Sequence, residues 1–216
     1  FGDNSTVLFY MFNGNLNDEV DIANGTTGSK GTLNGSSSYI SSIASLGQSI
    51  QLSTNTHIAS DFNAASSSVS VSFFLRVDSF NDTSLNALVS LPYNSGTETF
   101  AIGFSNQMIG LIPSATGGSP SSLTTKASLN ANTNYHVVAC SDGSFYLNGV
   151  LQSDVGSTAY FDENHTQGSP KLLINSRYLS NTRLENKNNV TYDHFKVFNR
   201  ILTESEADIL YQEGTV

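Results

Sequence analysis

The chain has 216 residues, of which 38% are hydrophobic and only 12% charged, against about 25% charged in an average soluble protein. Eighteen acidic residues against nine basic ones give a formal charge of −9, which repels phosphate backbones and anionic headgroups and argues against nucleic-acid and membrane partners. No apolar run approaches the roughly 18 to 20 residues of a membrane-spanning helix, and the single cysteine, Cys140, excludes an intrachain disulfide and a Cys-based zinc site.

In chain order, apolar residues recur at period two in short runs broken by Gly, Asn, Ser and Asp, the pattern of strands and turns. The runs are VLFYMF (7–12), YISSI (39–43), SIQL (49–52), VSVSFFLRV (69–77), NALVSL (86–91), TFAIGF (99–104) and MIGLI (108–112). YHVVAC (135–140), SFYLNGVL (144–151), KLLIN (171–175) and VTYDHFKVF (190–198) follow. In VSVSFFLRV, Val69, Val71, Phe73, Leu75 and Val77 fall on one face, and Ser70, Ser72 and Arg76 on the other, with Phe74 interrupting the polar side. Ten or more such strands predict an all-β, two-sheet antiparallel jelly-roll sandwich over 1–216 as one domain. Asn148-Gly149 predicts a type I′ hairpin turn. One short helix is predicted at 203–211, with Thr203 and Glu206 at capping-box spacing and Ile201 or Leu202 anchoring it. The segments 113–122 and 176–189 read as polar loops.

Three segments in order resemble the laminin-G-like, concanavalin A-like jelly-roll superfamily. They are LFYMFNGNLNDEVD (8–21), NYHVVACSDGSFYLNGVLQ (134–152) and VTYDHFKVFNRILTESEADILY (190–211). The chain departs from that pattern in having no Trp, with Tyr135 and Phe73 or Phe74 in its places, and in carrying Thr191 where a Gly commonly stands. The resemblance implies a jelly roll and, in a superfamily of glycosidases, lyases and lectins, a binding module.

Retaining glycoside hydrolysis needs two carboxylates about 5 Å apart, and no predicted strand carries such a pair. Arg177, Tyr178, Arg183 and His165 could serve a lyase, but nothing in their spacing fixes them together. Cys140 reads as a buried, inert thiol and His136 as packed between the sheets beside Val138. His57 and His165 read as loop residues. Calcium is the expected cofactor, because Asn/Asp-rich turns supply the oxygens it prefers. Asp193, in phase with Phe195 and Val197, is expected to face the core with His194 on the opposite side, and a buried carboxylate there needs a partner. By resemblance it would meet the turn after the opening strand, where Asn13, Asn15, Asp18 and Asp21 offer oxygens. The alternative is a strand-end Asp in water or bonded to turn amides.

N-x-S/T sequons at Asn4, Asn24, Asn34, Asn81, Asn164 and Asn189 fit a secreted or surface-exposed protein, glycosylated in a eukaryotic setting. The expected function is non-catalytic extracellular recognition of a glycan or glycoprotein through loops at one rim, with Tyr93, Asn94, Arg177, Tyr178 and Asn181 as candidate contacts. The alternative is a structural surface component of a larger assembly such as a virion, fibre or appendage, in homo- or hetero-oligomeric form.

Overall fold

The computed structural model describes residues 5–24, 29–44, 47–62, 68–80, 84–94, 97–112, 123, 127–152, 172–179 and 182–215. In chain order these form β1 (Thr6–Tyr10), α1 (Glu19–Asn24), β2 (Thr32–Asn34), β3 (Ser37–Ser41), β4 (Gln48–Leu52), β5 (His57–Ser60) and β6 (Ser70–Val77). Next come β7 (Asn86–Asn94), β8 (Thr97–Ser105), β9 (Met108–Ile112), β10 (Ala127–Ser128), β11 (Tyr135–Cys140) and β12 (Phe145–Leu147). The chain continues with β13 (Val150–Leu151), β14 (Leu172–Ile174), β15 (Ser176–Leu179), β16 (Thr182–Glu185), β17 (Val190–Phe198) and α2 (Glu204–Glu213).

Two antiparallel sheets result. One runs β13-β12-β11-β6-β17-β4-β3, with β1 also on β17; the other runs β10-β9-β8-β7-β14-β5-β2, and β15-β16 forms a separate hairpin. The predicted inward face of β6 is the inward face observed: Val71, Phe73, Leu75 and Val77 join one core with Leu88, Ile102, Phe104 and Ile174 of the facing sheet. Phe73 stacks on Phe195 at 5.9 Å between ring centroids, and each buried aromatic contributes about 1.5–3 kcal/mol. Asn148 and Gly149 both have positive φ (52° and 78°), as a type I′ turn requires, and Leu147 pairs with Val150 across it.

The outer face of the β6 sheet is also covered. α2 begins at Thr203 with the capping box in place and seats Ala207 and Leu210 on Val138, Cys140, Phe198 and Leu202. Cys140 is fully buried there, and burial pushes its thiol up to about 11, so it is inert. His136 and Val138 lie on this outer face too, with Tyr135, Val137 and Ala139 facing inward, so His136 is not packed between the sheets. The segment 176–189, predicted as a loop, contains β15 and β16, and His57 sits in β5 rather than in a loop, 1% exposed.

Candidate functional site

Strand β17 carries a bulge that overturns the predicted direction of Asp193. Asp193 pairs with Phe74 and Lys196 with Ser72, so three residues of β17 span two of β6. His194, at φ 45°, is the inserted residue. Tyr192 and then Phe195 and Val197 face the core, while Asp193 leaves the inward phase and is buried against the 42–44 segment. Its Oδ2 accepts from Ser42 Oγ, from Ser49 Oγ at 2.7 Å and from the Ala44 amide at 3.3 Å. Its Oδ1 accepts from the His194 amide at 2.8 Å and lies 3.2 Å from His194 Nδ1, so the two side chains are neighbours, not on opposite sides. Asp193 is a clasp that straps residues 42–44 over Phe74.

That clasp engages both Asp193 oxygens with protein donors, and the turn residues expected to join it accept from backbone amides. Exposed Asn13 accepts from the Gln48 amide and exposed Asn15 from the Asn17 amide, both at 2.8 Å. Asp21 Oδ2 accepts from the Ser29 amide at 2.6 Å. Buried Asp18 accepts from the Phe9 amide at 2.8 Å and the Val20 amide at 3.0 Å through Oδ1, while its Oδ2 meets no hydrogen-bond donor. Burial raises the Asp18 pKa against the pull of those two amides. Asp193, Asn13, Asn15 and Asp18 thus each meet donors of their own, and among the described residues no three His, Cys, Asp or Glu side chains group to hold a metal.

The rim candidates fall in two neighbouring elements. Tyr93 and Asn94 end β7, Arg177 and Tyr178 lie in β15, and β15 packs against β7 and β8. Ser90 Oγ ties the two by donating to the Ser176 carbonyl at 3.1 Å. Arg177 is 4% exposed, so its guanidinium lies inside the structure, contrary to a displayed rim contact. Asn181 lies outside the described residues, as do His165 and the sequons at Asn4, Asn81 and Asn164; Asn24, Asn34 and Asn189 are exposed. Nearby, Glu185 sits 3.2 Å from His57 Nδ1 and 2.7 Å from Arg183 Nε. Burial alone would raise its pKa, but the His57 and Arg183 contacts hold it below the usual carboxylate value.

A second concave region was not identified from sequence. Beneath the end of α2, Phe9, Phe74, His136, His194, Lys196 and Glu213 line a cavity of about 220 Å³. Phe9 and Lys196 also border a shallower depression of about 730 Å³ that runs toward α1. The signal for it was Phe74 on the polar side of β6, together with Val7 and Phe9 alternating with Leu8 and Tyr10 in β1 and Met11 just after it: apolar residues on both faces announce a covered outer surface.

The sequence model of the concanavalin A-like lectin/glucanases superfamily matches residues 45–208. The chain belongs to this superfamily. No curated protein matches this superfamily member by sequence. Domain 4 of AbnA, an extracellular GH43 arabinanase of Geobacillus stearothermophilus solved with arabinotriose, is 15% identical, with a TM-score of 0.71 over 96% of this chain and 98% of that one. Botulinum neurotoxin type C, whose cell entry depends on interaction with two ganglioside molecules, is 16% identical, with a TM-score of 0.71 over 99% of this chain and 52% of that one. The binding domain of botulinum neurotoxin DC, solved with rat synaptotagmin II, is 16% identical, with a TM-score of 0.69 over 99% and 52%. The chain spans about half the length of these neurotoxin chains, and at such identities the likeness is one of fold.

Proposed function

We propose that this chain is a non-catalytic recognition module that binds a glycan, free or on a glycoprotein, at an extracellular surface. The supporting observation is its end-to-end correspondence with an arabinanase domain that was solved holding a trisaccharide and contains little beyond the shared sandwich. Three of the described acids are engaged within the protein, which fits binding. Asp193 is consumed by hydroxyl and amide donors, Glu185 by His57 and Arg183, and Glu206 by Arg200, which leaves none of them placed as a free acid and nucleophile.

A glycan-array screen with and without calcium tests this. The expected result is binding to one defined sugar class; silence across the array by protein shown to be folded overturns the reading. Calcium dependence is proposed only through the Asp18 turn, whose Oδ2 is the buried oxygen without a donor. Calorimetric titration with Ca²⁺ is expected to give heat that Asp18→Asn removes and Asp193→Asn leaves, and the absence of heat in the native protein removes the metal from the proposal.

A further inference from the structure

Resting on that glycan-binding reading, we propose that the cavity beneath the end of α2 holds one uncharged six-membered sugar ring, the terminal residue of the bound glycan. Its walls are of two kinds. Phe9, Met11, Phe74 and Leu210 offer apolar surface, and Ser72, His136, Lys196 and Glu213 offer hydrogen-bonding groups. A pyranose has the matching division, with C–H faces to lie on aromatic rings and hydroxyls around its edge that both donate and accept.

The polar groups are poised for a ligand. His136 is 1% exposed; its Nε2 is bonded to Ser72 Oγ at 2.9 Å, and its Nδ1 meets no partner in the protein. A buried ring nitrogen left unpaired is costly, and a ligand hydroxyl, which can donate or accept, would satisfy it in either tautomer. Lys196 and Glu213 pair at 3.1 Å, with the Lys196 ammonium 4.9 Å above the Phe9 ring, and together they supply a donor and an acceptor to adjacent hydroxyls.

Charge and size select the ligand. The lysine of the lining is already paired with Glu213, and the chain as a whole carries −9, which disfavours an anionic ligand. At about 220 Å³ the cavity falls below the ~300 Å³ floor of drug-sized pockets and equals roughly seven waters, room for a ring and not for a chain. The adjoining depression, which shares Phe9 and Lys196, gives the following sugars an exit toward α1.

The test uses full-length protein from a host that does not glycosylate Asn24, with ¹⁵N-labelled histidine, titrated with the methyl glycosides of glucose, galactose, mannose and N-acetylglucosamine. One glycoside is expected to shift the His136 ring resonances saturably and leave those of His57 in place. Lys196→Met and Glu213→Gln, both checked for unchanged thermal unfolding, are expected to weaken that binding about tenfold or more each. Saturable binding that leaves His136 unmoved, or that survives both substitutions, overturns the proposal. A positive array with His136 silent to every glycoside overturns the cavity and keeps the glycan reading; silence in both overturns both. A glycoside that moves His136 while the array is blank supports the cavity.

Discussion

The two sides of strand β6 are buried by different means. Its inner side meets the opposite sheet through Val71, Phe73, Leu75 and Val77, a dry contact with no titratable group on those four residues. Its outer side is covered by α2 and by the 42–44 strap, and that cover buries Ser70, Ser72, His136 and Asp193 along with Phe74. The inner contact of those four residues is apolar area, with Tyr192 beside Phe73 adding a hydrogen bond to the Leu88 carbonyl at 3.2 Å, whereas the outer one relies on several hydrogen bonds of its own. The fold's main core is the first, and the cavity beneath the end of α2 with its polar groups lies on the second.

The largest effect that separates them is expected from Phe73→Ala, which empties the inner contact and costs about 3–5 kcal/mol by urea unfolding, with the ¹⁵N resonance of His136 little changed in the surviving native state. Asp193→Ala strands the hydroxyls of Ser42 and Ser49 and the amide of Ala44; about 3 kcal/mol is expected to be lost, with hydrogen exchange at Ala44 accelerating while that at Leu75 follows only the global change. Equal acceleration at both amides would mean the two sides unfold as one and would break the comparison.

Acid sharpens it further. Burial, with Lys196 and His194 nearby, pushes His136 from 6.5 down to about 3, so the unfolded chain takes up its proton first as pH falls. The native state is thereby favoured above 6.5 and loses that advantage progressively between 6.5 and about 3. His136→Phe is expected to flatten this limb of the stability profile, and an unchanged limb would place the acid sensitivity elsewhere. The smallest effect lies at the helix cap. Thr203→Ala is expected to cost about 1 kcal/mol. Hydrogen bonds from Arg200 hold Glu206 at about 2 against 4.5, so its contribution is present above 4.5 and disappears as pH falls toward 2; Glu206→Gln should remove that lower step in thermal melts.

The inner side was legible in the sequence because it obeys a local rule. Alternation in VSVSFFLRV identifies the inward residues, Asn148-Gly149 marks its hairpin, and Thr203 with Glu206 marks the start of α2. Beyond the start of α2, the outer side was legible only as an exception, in Phe74 and in the two-sided apolar character of β1. Which segment covers an outer face is decided by contacts between residues far apart in the chain, such as Ser42 with Asp193, and no local pattern carries them. Asp193 was misplaced because parity counting assumes an unbroken strand, and the bulge at His194 adds one residue. The β15-β16 hairpin was missed because Ser, Arg, Asn and Glu dominate its sequence and suppress the alternation signal.

The bulge also sets which kind of genetic change strand β17 can bear. Replacing one side chain there alters one contact, whereas deleting His194 would rejoin Asp193 to Phe195 in strict alternation and leave every residue that follows on its present face. Lys196 would stay outward and Phe195 and Val197 inward, and the loss would be the His194 amide bond to Asp193 Oδ1 and the ring stacked on Phe9. In lineages descended from this chain, loss of one residue at that point should therefore be borne, whereas loss or gain of one residue elsewhere in β17 would move the positions beyond it to the wrong face.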